Sequence, residues 1–404
     1  QFIAKIHQEF SLPGSCGVGY NSIRFDDEVT RNTLYRNFYD PYEREWRNGN
    51  SRWGIIDLVR AVHAFRPEGI NWPKDEQGVT RFKLELLSEA NGLSHDSAHD
   101  ALSDVYATIE LARLIKQKQP KLYDFAFSLR AKRTVQDLLI HSPAKPVLHI
   151  SSKYPADQNC LAMVLPLMPH PVNKNGMLVY DLSESPDELL SLSAADIHRR
   201  IFTATSKLEE GESRIPIKTI HFNRSPIVAP LSVLREGDAE RLGLNLDHCK
   251  ANYARLSEAE GLTDKLTQVF SESSMPENFD PDLMIYSGGF FSDADKRLFT
   301  QIRRSSAEQI GKAFYSFSDP RLEEMLFRYR ARNFPESLDV SEQERWLKHC
   351  RERLTNQGEE GYMTLVGYRL CIDELLADDG AQCGVASREI LENLKQYGEK
   401  LENL

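Results

Sequence analysis

The sequence predicts an α/β unit first, a β-rich middle second and a helical part last. Three observations carry this reading. Before about residue 120, apolar residues recur at helical spacing around one short, Gly-containing apolar stretch. Near His141 the composition shifts: Ser142-Pro143-Ala144-Lys145-Pro146 reads as a linker, and short β-like runs follow. From about Gly237 the strands fade and helical spacing returns.

Taken in order, Ser15 to Tyr20 is apolar enough for a buried strand. Asp26 to Phe38 reads as a helix whose acidic first turn suits the macrodipole. Val29, Leu34 and Phe38 are its expected core contacts, and Phe25 is expected to anchor the turn before it. Trp53 to Phe65 carries Ile55, Ile56, Leu58, Val59, Val62 and Phe65 at a helical period. Phe82 to Asn91 is a shorter helix, closed by Gly92. His99 to Gln119 is the clearest helix: Ala101, Val105, Ile109, Ala112 and Ile115 line one face, and Pro120 follows. In the middle, Val147 to Ser151, Cys160 to Met168, Met177 to Leu182 and Ile217 to His221 suggest a small barrel or sandwich, closed by Pro226 and Pro230. Leu256 to Phe270, Asp293 to Arg303, Leu322 to Tyr329, Ser341 to Leu354 and Ala386 to Leu401 read as helices. Trp46, Trp53 and Trp72 are expected in the core.

Bulk properties narrow the class. A chain of 404 residues holds two or three domains. A net charge of −10 argues against a basic coat over nucleic acid, but allows cations confined to a cleft. The cysteines (Cys16, Cys160, Cys249, Cys350, Cys371, Cys383) show no C-x-x-C spacing, which argues against zinc sites and fits reduced thiols in a cytoplasmic protein. No apolar run is long enough to span a membrane. Gln1 to Phe10 reads as an amphipathic helix without an initiator Met, so the chain is expected to be a fragment of something longer.

Two short stretches carry chemistry. Gly19-Tyr20-Asn21-Ser22-Ile23-Arg24-Phe25-Asp26 ends in a carboxylate at a helix start. His99-Asp100-Ala101-Leu102-Ser103-Asp104 puts an imidazole on an entering loop and a carboxylate one turn into the next helix. An Asp near a helix N-terminus is also simply stabilising. Together, though, the groups match a nuclease that holds divalent metal and activates water, with the imidazole accepting the proton.

These segments resemble the DEDD exonucleases of the His-containing subgroup, and more closely the bacterial exonuclease I family. The resemblance extends to Phe25-Asp26-Asp27-Glu28-Val29-Thr30-Arg31-Asn32, Tyr35-Arg36-Asn37-Phe38-Tyr39-Asp40-Pro41-Tyr42, Arg66-Pro67-Glu68-Gly69-Ile70-Asn71-Trp72-Pro73, Gly289-Phe290-Phe291-Ser292-Asp293-Ala294-Asp295 and Tyr329-Arg330-Ala331-Arg332-Asn333-Phe334-Pro335. It implies an RNase H-like exonuclease domain over residues 1–120, an SH3-like barrel over 121–272 and a helical domain over 273–404. The implied activity is 3′→5′ hydrolysis of single-stranded DNA to nucleoside 5′-monophosphates, in DNA repair and recombination. Two Mg²⁺ per active site are implied, with Mn²⁺ able to substitute.

Residue by residue, the resemblance implies Asp26 and Asp104 as metal ligands and His99 as general base. Its usual upstream Asp-x-Glu has no counterpart here, because the chain begins at Gln1. Weak metal binding and little or no turnover are therefore expected. Strand contacts are expected from Tyr20, Asn21, Arg24, Phe25, Arg328, Tyr329, Arg330 and Arg332, because phosphates need cations and unpaired bases stack on rings. The resemblance also implies that Arg66 and Arg235 bind the acidic C-terminal tail of the single-stranded-DNA-binding protein, with Phe125 and Pro230 departing from the family's pattern there. The chain is expected to be a monomer. The competing readings are a non-catalytic adaptor that binds DNA and partner, and a proofreading or RNA-trimming nuclease of the same superfamily.

Overall fold

The structure, a computed structural model, describes residues 2–93, 101–141, 144–271, 279–355, 363–377 and 385–402. It divides into two compact units: residues 1–33 with 41–276, and residues 34–40 with 277–404.

In the first unit, β1 (Cys16–Gly19) pairs in parallel with β2 (Ser51–Gly54), Cys16 opposite Ser51. β1 is half-exposed, not buried, and Val18 stands largely in solvent. A single 3₁₀ turn, Ser22–Arg24, joins β1 to the helix Asp26–Arg36. β2 feeds straight into the helix Ile55–Phe65, so Trp53 belongs to a strand and not to that helix. The helix is buried at Leu58, Val59, Val62 and Phe65, which makes it the central element of this unit. Leu84–Ala90 is the short helix expected, and Gly92 follows it at φ 62°.

The long helix is Ala101–Lys118, but its core face is Ala107, Leu111 and Ile115. Of the face expected in the core, Ile115 is buried and Ala112 packs against the core at the edge of a cleft, while Ala101, Val105 and Ile109 line that cleft. Val29, Phe25 and Trp46 are also exposed, against expectation. Each is flanked by polar residues, so local spacing alone exaggerated its burial.

The β-rich middle is a five-stranded antiparallel sheet. Its strands are β3 (Val147–Ile150), β4 (Leu161–Pro169), β5 (Gly176–Asp181), β6 (Ile217–His221) and β7 (Ile227–Pro230), ordered β6-β5-β4-β3-β7. Lys218 on β6 nevertheless meets His149 on β3, although β5 and β4 intervene. The sheet therefore curls on itself, which favours a barrel over a sandwich. Helices Asp187–Ser191 and Ala194–Phe202 fill the β5–β6 connection, the second capped by the Ser193 hydroxyl. Where one helix was expected up to Phe270 there are two, Leu246–Ser257 and Leu262–Ser271, broken near Gly261 at φ 71°. One apolar cluster runs from Trp53 to Phe270 and joins the α/β part to the barrel.

The second unit is helical: Asp293–Arg304, Ala307–Lys312, Arg321–Asn333, Val340–Thr355, Leu365–Ala377 and Val385–Glu402. Phe38 is fully buried there, edge-on to Phe299 and Tyr329.

Candidate active site

A cleft of about 1240 Å³ in the first unit brings the two carboxylates together. Asp26 reaches it from the first turn of its helix, and Asp104 from the first turn of Ala101–Lys118. Side chains one turn on bond back to both residues: the Thr30 hydroxyl donates to the Asp26 backbone carbonyl at 2.6 Å, and the Thr108 hydroxyl to the Asp104 backbone carbonyl at 2.7 Å. Tyr20 and Asn21 line the same wall. Tyr20 donates its hydroxyl to the Phe82 carbonyl at 2.5 Å, and burial raises its pKa, so the phenol is fixed and uncharged. His99 lies outside the described residues.

The donor set suits a hard cation. Carboxylate oxygens are the ligands Mg²⁺ and similar ions prefer, and such ions are commonly held by one or two carboxylates plus water and substrate phosphate. Among the described residues no group of three or more His, Cys, Asp or Glu side chains is gathered for a metal.

A second cavity, about 500 Å³, shares Asn21 and Ile56 with the cleft. Arg24, Lys153, Lys218, Arg224, His149 and His221 line it, with Asp57 the one acidic group in its wall. The sequence reading placed Arg24 here but missed the other cations. Burial lowers the Lys218 pKa to about 7, with Arg24 and Lys153 adding to the effect against Asp57 and Asp181. A lysine inside the short strand Ile217–His221, between Ile217 and Thr219, was the available signal. On an acidic chain this is a local concentration of positive charge.

A third cavity, about 460 Å³, joins Arg66 and Arg235 with Lys121, Phe125, Pro230 and Val233. Arg66 is held by the Val233 carbonyl at 2.8 Å and by Asp238 at 3.6 Å. Arg235 is half in solvent, 3.2 Å from Glu68.

The remaining residues expected on the strand stand differently. Phe25 is exposed and does not line the cleft. Arg328 is buried and held by Glu324, Asp280 and Asp282, the first at 2.7 Å. Arg330 makes two bonds to Glu342, at 2.7 and 2.9 Å, and Arg332 pairs with Asp282 at 2.8 Å. Tyr329 is buried among Phe38 and Phe334. Arg328 and Tyr329 belong to the second unit's interior, while Arg330 is partly buried and Arg332 exposed; an Arg-rich helix end beside rings looks the same in sequence whether carboxylates or phosphates neutralise it.

Comparison with known proteins decides the family. Residues 1–112 match the Exonuclease family, 130–272 the Exonuclease I SH3-like domain and 279–401 the Exonuclease I C-terminal domain. The exodeoxyribonuclease I of Escherichia coli is 42% identical over 365 residues, which is 89% of this chain and 76% of that protein. The chain belongs to the exonuclease I family.

Solved members share its fold. A moderately thermophilic exonuclease I from Methylocaldum szegediense superposes with a TM-score of 0.92 at 48% identity, over 99% of this chain and 83% of that one. Escherichia coli exonuclease I in complex with a dA16 oligonucleotide gives 0.91 at 40% identity, over 99% and 84%. Other similar structures are a zinc-ion-bound form of the Escherichia coli enzyme with single-stranded DNA and an exonuclease I complex with SSB-Ct. The order of an RNase H-like α/β domain, an SH3-like barrel and a helical domain is that of the family. Divalent metal use comes with it. Among the described residues no helix is long and apolar enough to cross a membrane.

Proposed function

We propose that this chain is a 3′→5′ exonuclease of single-stranded DNA that releases nucleoside 5′-monophosphates with Mg²⁺, in DNA repair and recombination. The observation that carries the reading is the shared cleft: Asp26 and Asp104 line it from two helix starts far apart in sequence. The cation-lined cavity next to it, through Asn21, suits the phosphates of a strand entering the cleft.

Asp26 and Asp104 would hold the divalent ion, and Mn²⁺ would serve in place of Mg²⁺. A bound divalent ion supplies charge stabilisation to the attacking and leaving oxygens. Water attacks the phosphorus of the 3′-terminal phosphodiester, and the bond to the 3′-oxygen of the preceding nucleotide breaks. His99 takes the proton from the attacking water. The departing 3′-oxygen gains a proton from solvent, leaving a strand one nucleotide shorter. Tyr20 and Asn21 wall the cleft and exclude part of the solvent.

We place the domain boundaries near residues 120 and 272. The cavity at Arg66 and Arg235 would take the acidic tail of the single-stranded-DNA-binding protein, its cations meeting carboxylates and Phe125 and Val233 meeting apolar side chains. Nothing in the reading needs a second copy of the chain.

The test is release of 5′-mononucleotides from a 3′-labelled single strand, with Mg²⁺ or with chelator. Release that needs the metal, starts at the 3′ end and stops in His99→Ala supports the reading. Equal release in His99→Ala, or attack on a 3′-blocked strand, removes it.

A further inference from the structure

A buried ion network adjoins the cleft and is not used by the steps above. Asp27, the residue after Asp26, accepts from Arg44 Nη2 at 2.7 Å and from Arg52 Nη1 at 3.1 Å. Arg44 sits in the turn Glu43–Glu45 and Arg52 on β2, so Asp27 is tied to two elements outside its own helix. One turn later Arg31 binds Glu45 twice, both at 2.7 Å, and Glu45 also accepts from Arg52 at 3.1 Å. Asp27, Arg31, Arg44 and Arg52 are all nearly excluded from solvent.

We propose that Arg44 and Arg52 are positioning residues for the divalent ion: by clamping Asp27 they fix the first turn of the helix Asp26–Arg36 and aim the Asp26 carboxylate into the cleft. The inference rests on the reading of Asp26 as a ligand.

The geometry argues for it in two ways. Residues 27 and 31 lie on one helix face, because side chains four apart are stacked. A helix fastened at both cannot roll about its axis. Asp26 is one residue, roughly 100°, around the helix from Asp27, so its direction follows from the clamp. It is exposed while Asp27 is buried, as that rotation requires. The second argument is electrostatic. Arg44 lines the cleft itself, and a guanidinium beside a cation site repels the cation. Charge alone gives no reason for Arg44 to be there; holding Asp27 does. Groups that orient metal ligands typically alter metal affinity by about 10–100-fold when removed.

That opposition of sign makes the test decisive. Binding of Mn²⁺ alone to the full chain is followed by electron paramagnetic resonance of the free ion, with no strand present. Arg44→Gln removes a positive charge from the cleft wall. Electrostatics predicts tighter Mn²⁺ binding; positioning predicts binding weakened about tenfold. Arg44→Lys keeps the charge but not the planar fork, so it serves if the first variant does not fold; it should bind Mn²⁺ several-fold more weakly while melting as a single transition. Unchanged or tighter binding in the folded variants overturns the proposal. Asp26→Asn is measured alongside. If it too leaves Mn²⁺ binding unchanged, the ligand reading falls and takes the proposal with it. If Asp26→Asn weakens binding and the Arg44 variants do not, only the positioning role is lost.

Discussion

Lys218 donates from Nζ to His149 Nε2 across 2.9 Å, and among the described residues no carboxylate forms an ion pair with that ammonium. The other ring nitrogen, His149 Nδ1, lies 2.8 Å from the Ile227 carbonyl, which can only accept. The proton is therefore on Nδ1, and Nε2 is the acceptor for Lys218. Burial and the neighbouring Lys218 charge hold the His149 pKa well below the ordinary value, so the ring stays neutral. Lys218 is thus a partly buried amine, over the Tyr154 ring, whose charged form an anion would stabilise.

Strand binding should accordingly depend on pH. In the free protein burial lowers the Lys218 pKa to about 7. A bound phosphate favours the charged form and raises it. Affinity is then greatest below pH 7 and falls as pH rises through the pKa of the complex. Arg24, Lys153, Asp57, Asp181 and His149 are the charged or titratable groups that bear on it. Fluorescence anisotropy of a labelled oligonucleotide in chelator should show affinity dropping roughly tenfold between pH 6.5 and 9, the scale of one charge-assisted hydrogen bond. Lys218→Arg should flatten the profile at high affinity. Lys218→Met should flatten it at low affinity and reduce the log K against log salt slope by about 0.7. An unaltered slope in Lys218→Met would take phosphate out of this cavity.

The paired carboxylates predict a separation of chemistry from binding. Asp26→Asn and Asp104→Asn each keep shape and lose charge, so metal-dependent release of mononucleotides should fall by about 100-fold or more. Oligonucleotide affinity in chelator should stay within about twofold, since phosphate contacts carry that affinity. A comparable loss of both would mean that these residues hold the helix starts rather than an ion.

At the third cavity, Arg235→Glu should weaken binding of a short peptide ending in acidic residues by roughly tenfold or more, because a rim cation becomes a repelling anion. Arg66 is tied to the Val233 carbonyl and to Asp238, so Arg66→Ala should cost affinity and also loosen the cavity wall. Titration calorimetry with the peptide reads the affinity; unaltered binding in Arg235→Glu assigns the tail elsewhere.

Strands β3 to β6 were legible because their apolar runs are bounded by turn residues. β7 was not: Pro226 and Pro230 bracket Ile227-Val228-Ala229, and prolines at both ends read as a loop. An edge strand tolerates them, and β7 pairs only with β3. In the helix Ala101–Lys118 the period was right and the face right only toward its C-terminal end, where Ile115 is in the core and Ala112 packs against it. Both Ala101-Val105-Ile109-Ala112 and Ala107-Leu111-Ile115 are apolar rows, and periodicity does not say which one meets a core. Asp26 and Asp104 were legible as helix-start acids, and their shared cleft followed from family pattern. The basic cavity had no such handle, since Lys153, Lys218 and Arg224 of the barrel meet Arg24 of the turn Ser22–Arg24 only in the folded chain. Free cysteines were expected, and Cys160 and Cys249 are buried thiols, although Cys371 is exposed.

Acid should unfold the chain through its histidines before its carboxylates. Burial lowers the pKa of His63 to about 4, with Arg241 and Lys74 adding to it, and that of His221 to about 4, with Arg224 adding most. The folded state thus binds fewer protons than the unfolded state below the ordinary histidine value of about 6.5. Their contribution is complete above pH 6.5 and is lost as pH falls toward 4. Melting followed by calorimetry should show Tm declining over that window. His63 bonds the Thr80 hydroxyl at 2.9 Å, and His63→Gln can keep that bond without titrating. Its Tm should start lower and decline less. An equal slope in His63→Gln would assign the acid sensitivity to other groups.

Arg328 separates a structural arginine from a strand contact. Its guanidinium is buried and shared among Glu324, Asp280 and Asp282, and Asp280 also accepts from Arg353 at 2.7 Å. Asp280 keeps Arg353 and Asp282 keeps Arg332, so removing Arg328 leaves these carboxylates partly compensated, and the cost is that of its own buried charge-assisted hydrogen bonds, about 1.5–3 kcal/mol. Arg328→Ala should therefore lower Tm by several degrees, read by calorimetry, while the affinity of the folded protein for a labelled oligonucleotide and its salt slope stay as they are. A phosphate contact would show the reverse pattern: Tm nearly constant, affinity lower, and a slope reduced by about 0.7. Arg332 is more open and reaches one carboxylate, Asp282, from a half-solvated position. Arg332→Ala should cost less stability than Arg328→Ala, in proportion to the smaller burial of its charge.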